Sequence, residues 1–106
     1  EQLKVALLNV LINAVEAMEP GEGVLTVQTQ YDDDKLEIVV RDNGRGMAEE
    51  DLNHLFEPFY TGKKMGTGLG LTTTQNIIRS HQGTIDVLSE PGIGTEFTMR
   101  LYKENR

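Results

Sequence analysis

The chain has 106 residues, 38% of them hydrophobic, no cysteine and a formal net charge of -7 at pH 7. That length fits one domain with a single modest core. The acidity disfavours a phosphodiester partner, so no nucleic acid is expected. The lack of thiols excludes a disulfide frame and any Cys-based metal site, and fits a reducing compartment. No apolar run approaches a membrane span, and no leader pattern precedes the first helical pattern. The chain opens on Glu1, already inside an amphipathic pattern, as a domain cut from a longer polypeptide would.

Periodicity predicts a helix over residues 3–18. Leu3, Leu7, Val10, Leu11, Ala14 and Met18 share one face, while Val5, Leu8, Ile12 and Val15 add apolar flank elsewhere. The exception to this greasy surface is a stripe of Asn9, Asn13 and Glu16, which spans roughly 60° of arc. Asparagine is a poor helix former for a merely solvated face, so the stripe reads as the polar wall of a site. A turn over residues 19–23 leads to a strand in which Leu25, Val27, Thr29 and Tyr31 alternate. Asp32, Asp33 and Asp34 form a solvated loop tip, without calcium-loop spacing.

The next strand, residues 36–41, places Leu36, Ile38 and Val40 on one parity, and Asp42 inherits it. A carboxylate is thereby aimed at the core side just before Gly44 and Gly46, where it requires a ligand or a hydrogen-bonding partner. Acidic residues 49–51 suit a first helical turn. Leu52, Leu55, Phe56 and Phe59 follow at helical spacing, but Pro58 makes a regular helix through Phe59 unfavourable. A short polar segment carries Lys63 and Lys64. Gly66-Thr67-Gly68-Leu69-Gly70-Leu71 then opens a helix ending near Gln82, with Gly83 as its C′ residue. Strands over residues 84–89 and 95–102 flank a turn, and Thr95 shares parity with Phe97, Met99 and Leu101, so it too points inward. The order of elements describes a single α/β domain over residues 1–106. It is a two-layer sandwich whose mixed, mostly antiparallel sheet is covered on one face by helices.

Three pieces carry chemistry. Glycines at 66, 68 and 70 ahead of a helix let backbone N–H groups approach phosphate oxygens at the positive end of the helix dipole, and Lys63 and Lys64 strengthen that reading. No strand leads directly into this loop and no parallel βαβ repeat accompanies it, which excludes a dinucleotide fold; the P-loop pattern is also absent. Asn9 and Asn13 suit Mg²⁺, which takes oxygen ligands and borrows several from phosphate and water. Asp42 and Thr95 suit a nucleobase: a carboxylate accepts from an exocyclic amine, and a hydroxyl relays to a ring nitrogen. Together they describe a Mg-nucleotide pocket with adenine towards the core.

Five stretches in order resemble the motifs of sensor histidine kinases. Leu8-Asn9-Val10-Leu11-Ile12-Asn13-Ala14 resembles the N box, and Asp42-Asn43-Gly44-Arg45-Gly46-Met47 the first glycine box. Leu55-Phe56-Glu57-Pro58-Phe59 resembles the F box; residues 66–71 and 94–97 resemble the second and third glycine boxes. The resemblance implies the Bergerat ATP-binding fold, with ATP and Mg²⁺ as cofactors. Asn13 and Asn9 would face the metal, Asp42 the adenine amino group, and Thr95 the base through water. Ala17, Gly44, Gly46, Met47, Phe59, Lys63, Lys64, Gly66, Thr67, Gly68, Leu69, Gly70 and Leu71 would line the nucleotide. An ATP lid would run from about the F box to Gly66.

Related hydrolytic ATPases place Glu where this chain has Asn9. An amide is no general base, so the resemblance implies phosphoryl transfer to a histidine rather than hydrolysis, with Asn9, Lys63 and Lys64 as the catalytic set. The acceptor would lie on a separate dimerisation domain of the parent kinase, which would in turn serve a response regulator. His54 and His81 lie outside the family's phosphoacceptor motif. The expected setting is cytoplasmic, with the parent free or tethered to the inner membrane; the parent would be a homodimer and this chain a monomer. Glu16 and Ala17 depart from the basic and aromatic residues that many histidine kinases carry there, which leaves phosphate neutralisation to Lys63, Lys64 and Mg²⁺. A serine-directed anti-sigma kinase would have Glu in place of Asn9, and a non-catalytic scaffold would not need intact glycine boxes.

Overall fold

The computed structural model describes residues 2–57 and 70–102. Helix α1 spans Gln2–Glu16, strands β1 and β2 Leu25–Tyr31 and Lys35–Asp42, the short α2 Glu49–Asn53, α3 Gly70–Ser80, and β3 and β4 Thr84–Glu90 and Gly94–Tyr102. The strands form a four-stranded sheet of order β1-β2-β4-β3, and all three pairings are antiparallel. Helices α1 and α3 pack against each other over its inner face. No helix among the described residues is long and apolar enough to cross a membrane.

Register turns strand parity into layers. Val27, Val40, Phe97 and Val87 make one row across the sheet, and Thr29, Ile38, Met99 and Ile85 the next. Val40, Phe97 and Met99 are sealed beneath Val10 and Ala14 of α1 and Ile77 and Ile78 of α3. The outer face is polar: Arg41 Nε donates to Glu96, and Arg100 reaches Glu37 and Asp86. Such exposed pairs solubilise the face more than they stabilise the fold.

The nearly all-round apolar α1 is not buried all round, since Val5, Leu8, Ile12 and Val15 are exposed. Helix α3 stops at Ser80, and Gln82, not Gly83, holds the left-handed C′ conformation, with φ 65°. Gln82 N–H bonds Arg79 O and Gly83 N–H bonds Ile78 O, both at 2.9 Å, the paired bonds of a Schellman end. Gly83 serves a different need. A Cβ there would lie 2.3 Å from Arg100 O, so the bare α-carbon lets the chain pass close beneath β4.

Candidate functional site

At the end of the sheet the apolar rows give way to a polar one. Asp42 on β2 pairs with Thr95 on β4, which pairs with Ser89 on β3. Asp42 and Thr95 are each only 5% exposed. The Asp42 carboxylate accepts the Gly44 N–H at 2.8 Å. Burial pushes its pKa up from the usual aspartate value, opposed by hydrogen bonds from the Gly44 and Thr95 backbone and by the charge of Arg45. An ionised carboxylate has roughly four acceptor positions, so capacity remains for a donor from outside the chain.

The loop after β2 is stapled on two sides. Arg45 N–H donates to Ala17 O at 3.0 Å, just past the end of α1, and Arg45 O accepts the Gly92 N–H at 2.8 Å. Asn43 accepts the Val24 N–H and donates to Glu22 O, which fixes the connection into β1. Gly46 adopts φ +72°, and a Cβ on it would fall 2.1 Å from Glu90 O, so only glycine lets this loop lie against the β3–β4 turn. Met47 is buried beside it, and its N–H donates to Ser89 Oγ at 2.9 Å.

Asn9 and Asn13 lie half-buried along α1, whereas Glu16 is exposed. Asn9 Nδ2 donates to Gly70 O at 3.2 Å, tying α1 to the first residue of α3. The same carbonyl accepts from Thr74 Oγ1 at 2.9 Å. Among the described residues, a Cβ on Gly70 would meet nothing closer than Asn9 Cγ at 3.6 Å. From Asn9 to Ala17 the helix rises roughly 12 Å, and it thereby joins the start of α3 to the Asp42 loop. Among the described residues no group of three or more His, Asp or Glu could hold a metal ion. The half-buried side-chain amides of Asn9 and Asn13 carry oxygen donors of the kind Mg²⁺ takes alongside phosphate and water.

The structure thus gathers Ala17, Asp42, Gly44, Gly46, Met47 and Thr95 at the C-terminal end of α1, and Asn9, Gly70 and Leu71 by its middle, with Asn13 between. Phe59, Lys63, Lys64, Gly66, Thr67, Gly68 and Leu69 lie outside the described residues, as does the lid expected there. The two histidines have local partners: His54 Nδ1 lies 2.8 Å from Glu57, and His81 Nδ1 lies 2.9 Å from Ile77 O. Ser89 was not anticipated, although it shares parity with Ile85 and Val87 and was open to the same reasoning that identifies Asp42 and Thr95.

Helices over one face of an antiparallel sheet, with a polar row at the end of the strands, define a two-layer α/β sandwich. The chain belongs to the family of histidine kinase-, DNA gyrase B- and HSP90-like ATPases, whose model matches residues 1–105. It is 48% identical over 102 residues to the signal transduction histidine-protein kinase AtoS of Escherichia coli, covering 95% of this chain and 17% of that protein. Sporulation kinase E of Bacillus subtilis is 46% identical over 100 residues, covering 94% of this chain and 14% of that one. Among solved structures, the mycobacterial sensor histidine kinase MprB superposes with a TM-score of 0.83 at 30% identity, covering 95% of this chain and 72% of the other. The nucleotide-free catalytic domain of histidine kinase ThkA also gives 0.83, at 31% identity over 96% and 67% of the two chains. The chain spans less than a fifth of these two curated relatives.

Proposed function

We propose that this chain binds Mg-ATP and delivers the γ-phosphoryl group to a histidine on a separate dimerisation domain of its parent kinase, which then serves a response regulator. The observation that carries the reading is the polar row of Asp42, Thr95 and Ser89, where buried Asp42 and Thr95 interrupt the apolar packing and Asp42 keeps acceptor capacity. Adenine suits that row because its exocyclic amine donates to Asp42, while Thr95 reaches the ring through water. Gly46 and Met47 flank the same end.

The phosphates extend along α1 towards the start of α3. Helical N–H groups and a positive dipole end favour anions there, beside the bare Gly70. The motif resemblance assigns Lys63 and Lys64 to the phosphates as well. Asn13, assisted by Asn9, holds Mg²⁺ through an amide oxygen; the ion supplies charge neutralisation on the phosphates. Asn9 cannot act as a general base towards water, so the site positions phosphate for an incoming protein nucleophile, in keeping with phosphoryl transfer by alignment and charge stabilisation. The parent works in the cytoplasm, free or tethered to the inner membrane. It acts as a homodimer, while this chain alone is monomeric.

Calorimetry with an unhydrolysable ATP analogue tests the binding. Affinity should rise when Mg²⁺ is added, and Asn13→Ala should remove most of that rise while leaving metal-free binding unchanged. Incubation with ATP and a supplied helical dimerisation domain should yield phosphohistidine, with little phosphate released when that domain is withheld. Rapid ATP hydrolysis by the chain alone would overturn the transfer reading.

A further inference from the structure

Ser89 Oγ has three polar neighbours: Met47 N at 2.9 Å, Gly94 O at 3.0 Å and Thr95 Oγ1 at 2.8 Å. A hydroxyl has one proton to give and two lone pairs to receive with. Met47 N–H can only donate and Gly94 O can only accept. Ser89 therefore accepts from Met47 and gives its own proton to Gly94 O. The contact with Thr95 is satisfied only if Thr95 is the donor. The alternative directs the Ser89 proton at Thr95 and leaves two oxygen lone pairs facing each other at the 3.0 Å contact. In a half-buried setting the unmade bond carries most of the desolvation penalty of its groups.

The consequence falls on Thr95, whose only hydroxyl proton is committed to Ser89. Towards the pocket this side chain then shows lone pairs alone, beside a carboxylate that also only accepts. We propose that Ser89 is a specificity-determining positioning residue. By fixing Thr95 as an acceptor, it helps the site prefer a 6-amino purine nucleotide over a 6-oxo one. This rests on the nucleotide reading above and extends it to a residue that does not itself touch the base. A 6-amino group donates into an all-acceptor edge, whereas a 6-oxo group adds another acceptor against it. Without the Ser89 hydroxyl, Thr95 is free to turn its proton towards the pocket, so that it or the intervening water can donate to a 6-oxo group.

ATP and inosine triphosphate are the probes, because they differ at the purine 6-position and its adjoining ring nitrogen. Their Kd values are measured by calorimetry on the intact chain, with thermal melts to confirm folding. The wild type should favour ATP. Ser89→Ala should cut the ATP-to-ITP preference by about tenfold, the equivalent of one charge-adjacent hydrogen bond. Ser89→Thr, which keeps the hydroxyl, should restore it. Equal weakening of both nucleotides in Ser89→Ala would make Ser89 a prop for the Met47 loop and overturn the inference, as would an unchanged ratio. A wild type that binds both alike, or neither, would instead bring down the adenine reading itself, and the inference with it.

Discussion

The two ends of the site, one at the C-terminal end of α1 and one by its middle, are held in different ways. At the sheet end, Asp42, Thr95 and Ser89 sit on paired strands, and the loop between them is fixed by backbone bonds to Ala17 and Gly92. At the helical end of the site, Asn9 donates to Gly70 O and Thr74 Oγ1 reaches Ala6 O at 3.4 Å, both between α1 and α3. One end is preorganised by the register of a sheet, the other by a side chain reaching between two helices. Recognition that must discriminate benefits from the first arrangement, because donors and acceptors in fixed positions reject a mismatched partner. Gripping a flexible, highly charged chain such as a triphosphate tolerates the second.

The largest effect should come from breaking the rigid end. Gly46→Ala places a methyl where Glu90 O already is, at a positive φ, and should destabilise the fold by about 3 kcal/mol. That corresponds to a fall in Tm of roughly 12 °C or more, readable by circular dichroism. Asp42→Asn should leave the fold in place but weaken adenosine binding by about 2 kcal/mol, near thirtyfold. The pH dependence follows from the same group. Because burial raises the Asp42 pKa above the ordinary 3.8, the folded chain holds a proton that the unfolded chain has released over the window between the two values. Stability of the free protein therefore falls as pH rises through that window. Binding of an amine donor by the ionised carboxylate strengthens over the same interval. Titration of adenosine affinity from pH 4 to 7 should show that rise in the wild type and lose it in Asp42→Asn.

A smaller change is expected at the helical end. Asn9→Ala removes one half-buried hydrogen bond, worth about 1 kcal/mol of stability in denaturant unfolding. It should weaken ATP several-fold while leaving adenosine unchanged, and that split sharpens the contrast between the ends. Equal losses for both ligands would erase it. Smallest of all is Arg41→Gln on the outer face, which should shift stability by less than about 0.5 kcal/mol with no effect on either ligand.

Strand parity makes Asp42 and Thr95 legible in the sequence, since period-two alternation is set by the backbone and survives any tertiary arrangement. Ser89 obeys the same alternation, but a serine near a strand end attracts no notice until register places it beside Thr95, and register is a tertiary fact. The exposed flank of α1 was hidden for a related reason. Apolar periodicity records which residues are able to be buried, whereas Val5, Leu8, Ile12 and Val15 show that what packs against them decides whether they are. Glycine at the close of α3 was legible as a requirement for a missing side chain, yet two physical needs call for that, and here close approach to Arg100 O took precedence over a left-handed φ.

That last feature has a practical use. Gln82 keeps a side chain in a conformation that disfavours one by about 1 kcal/mol, well away from the polar row. Gln82→Gly should therefore raise Tm by roughly 4–8 °C and leave nucleotide selectivity as it is. A chain so reinforced is the background in which damaging pocket variants, Gly46→Ala first among them, become soluble enough to titrate, so that loss of ligand can be told apart from loss of fold.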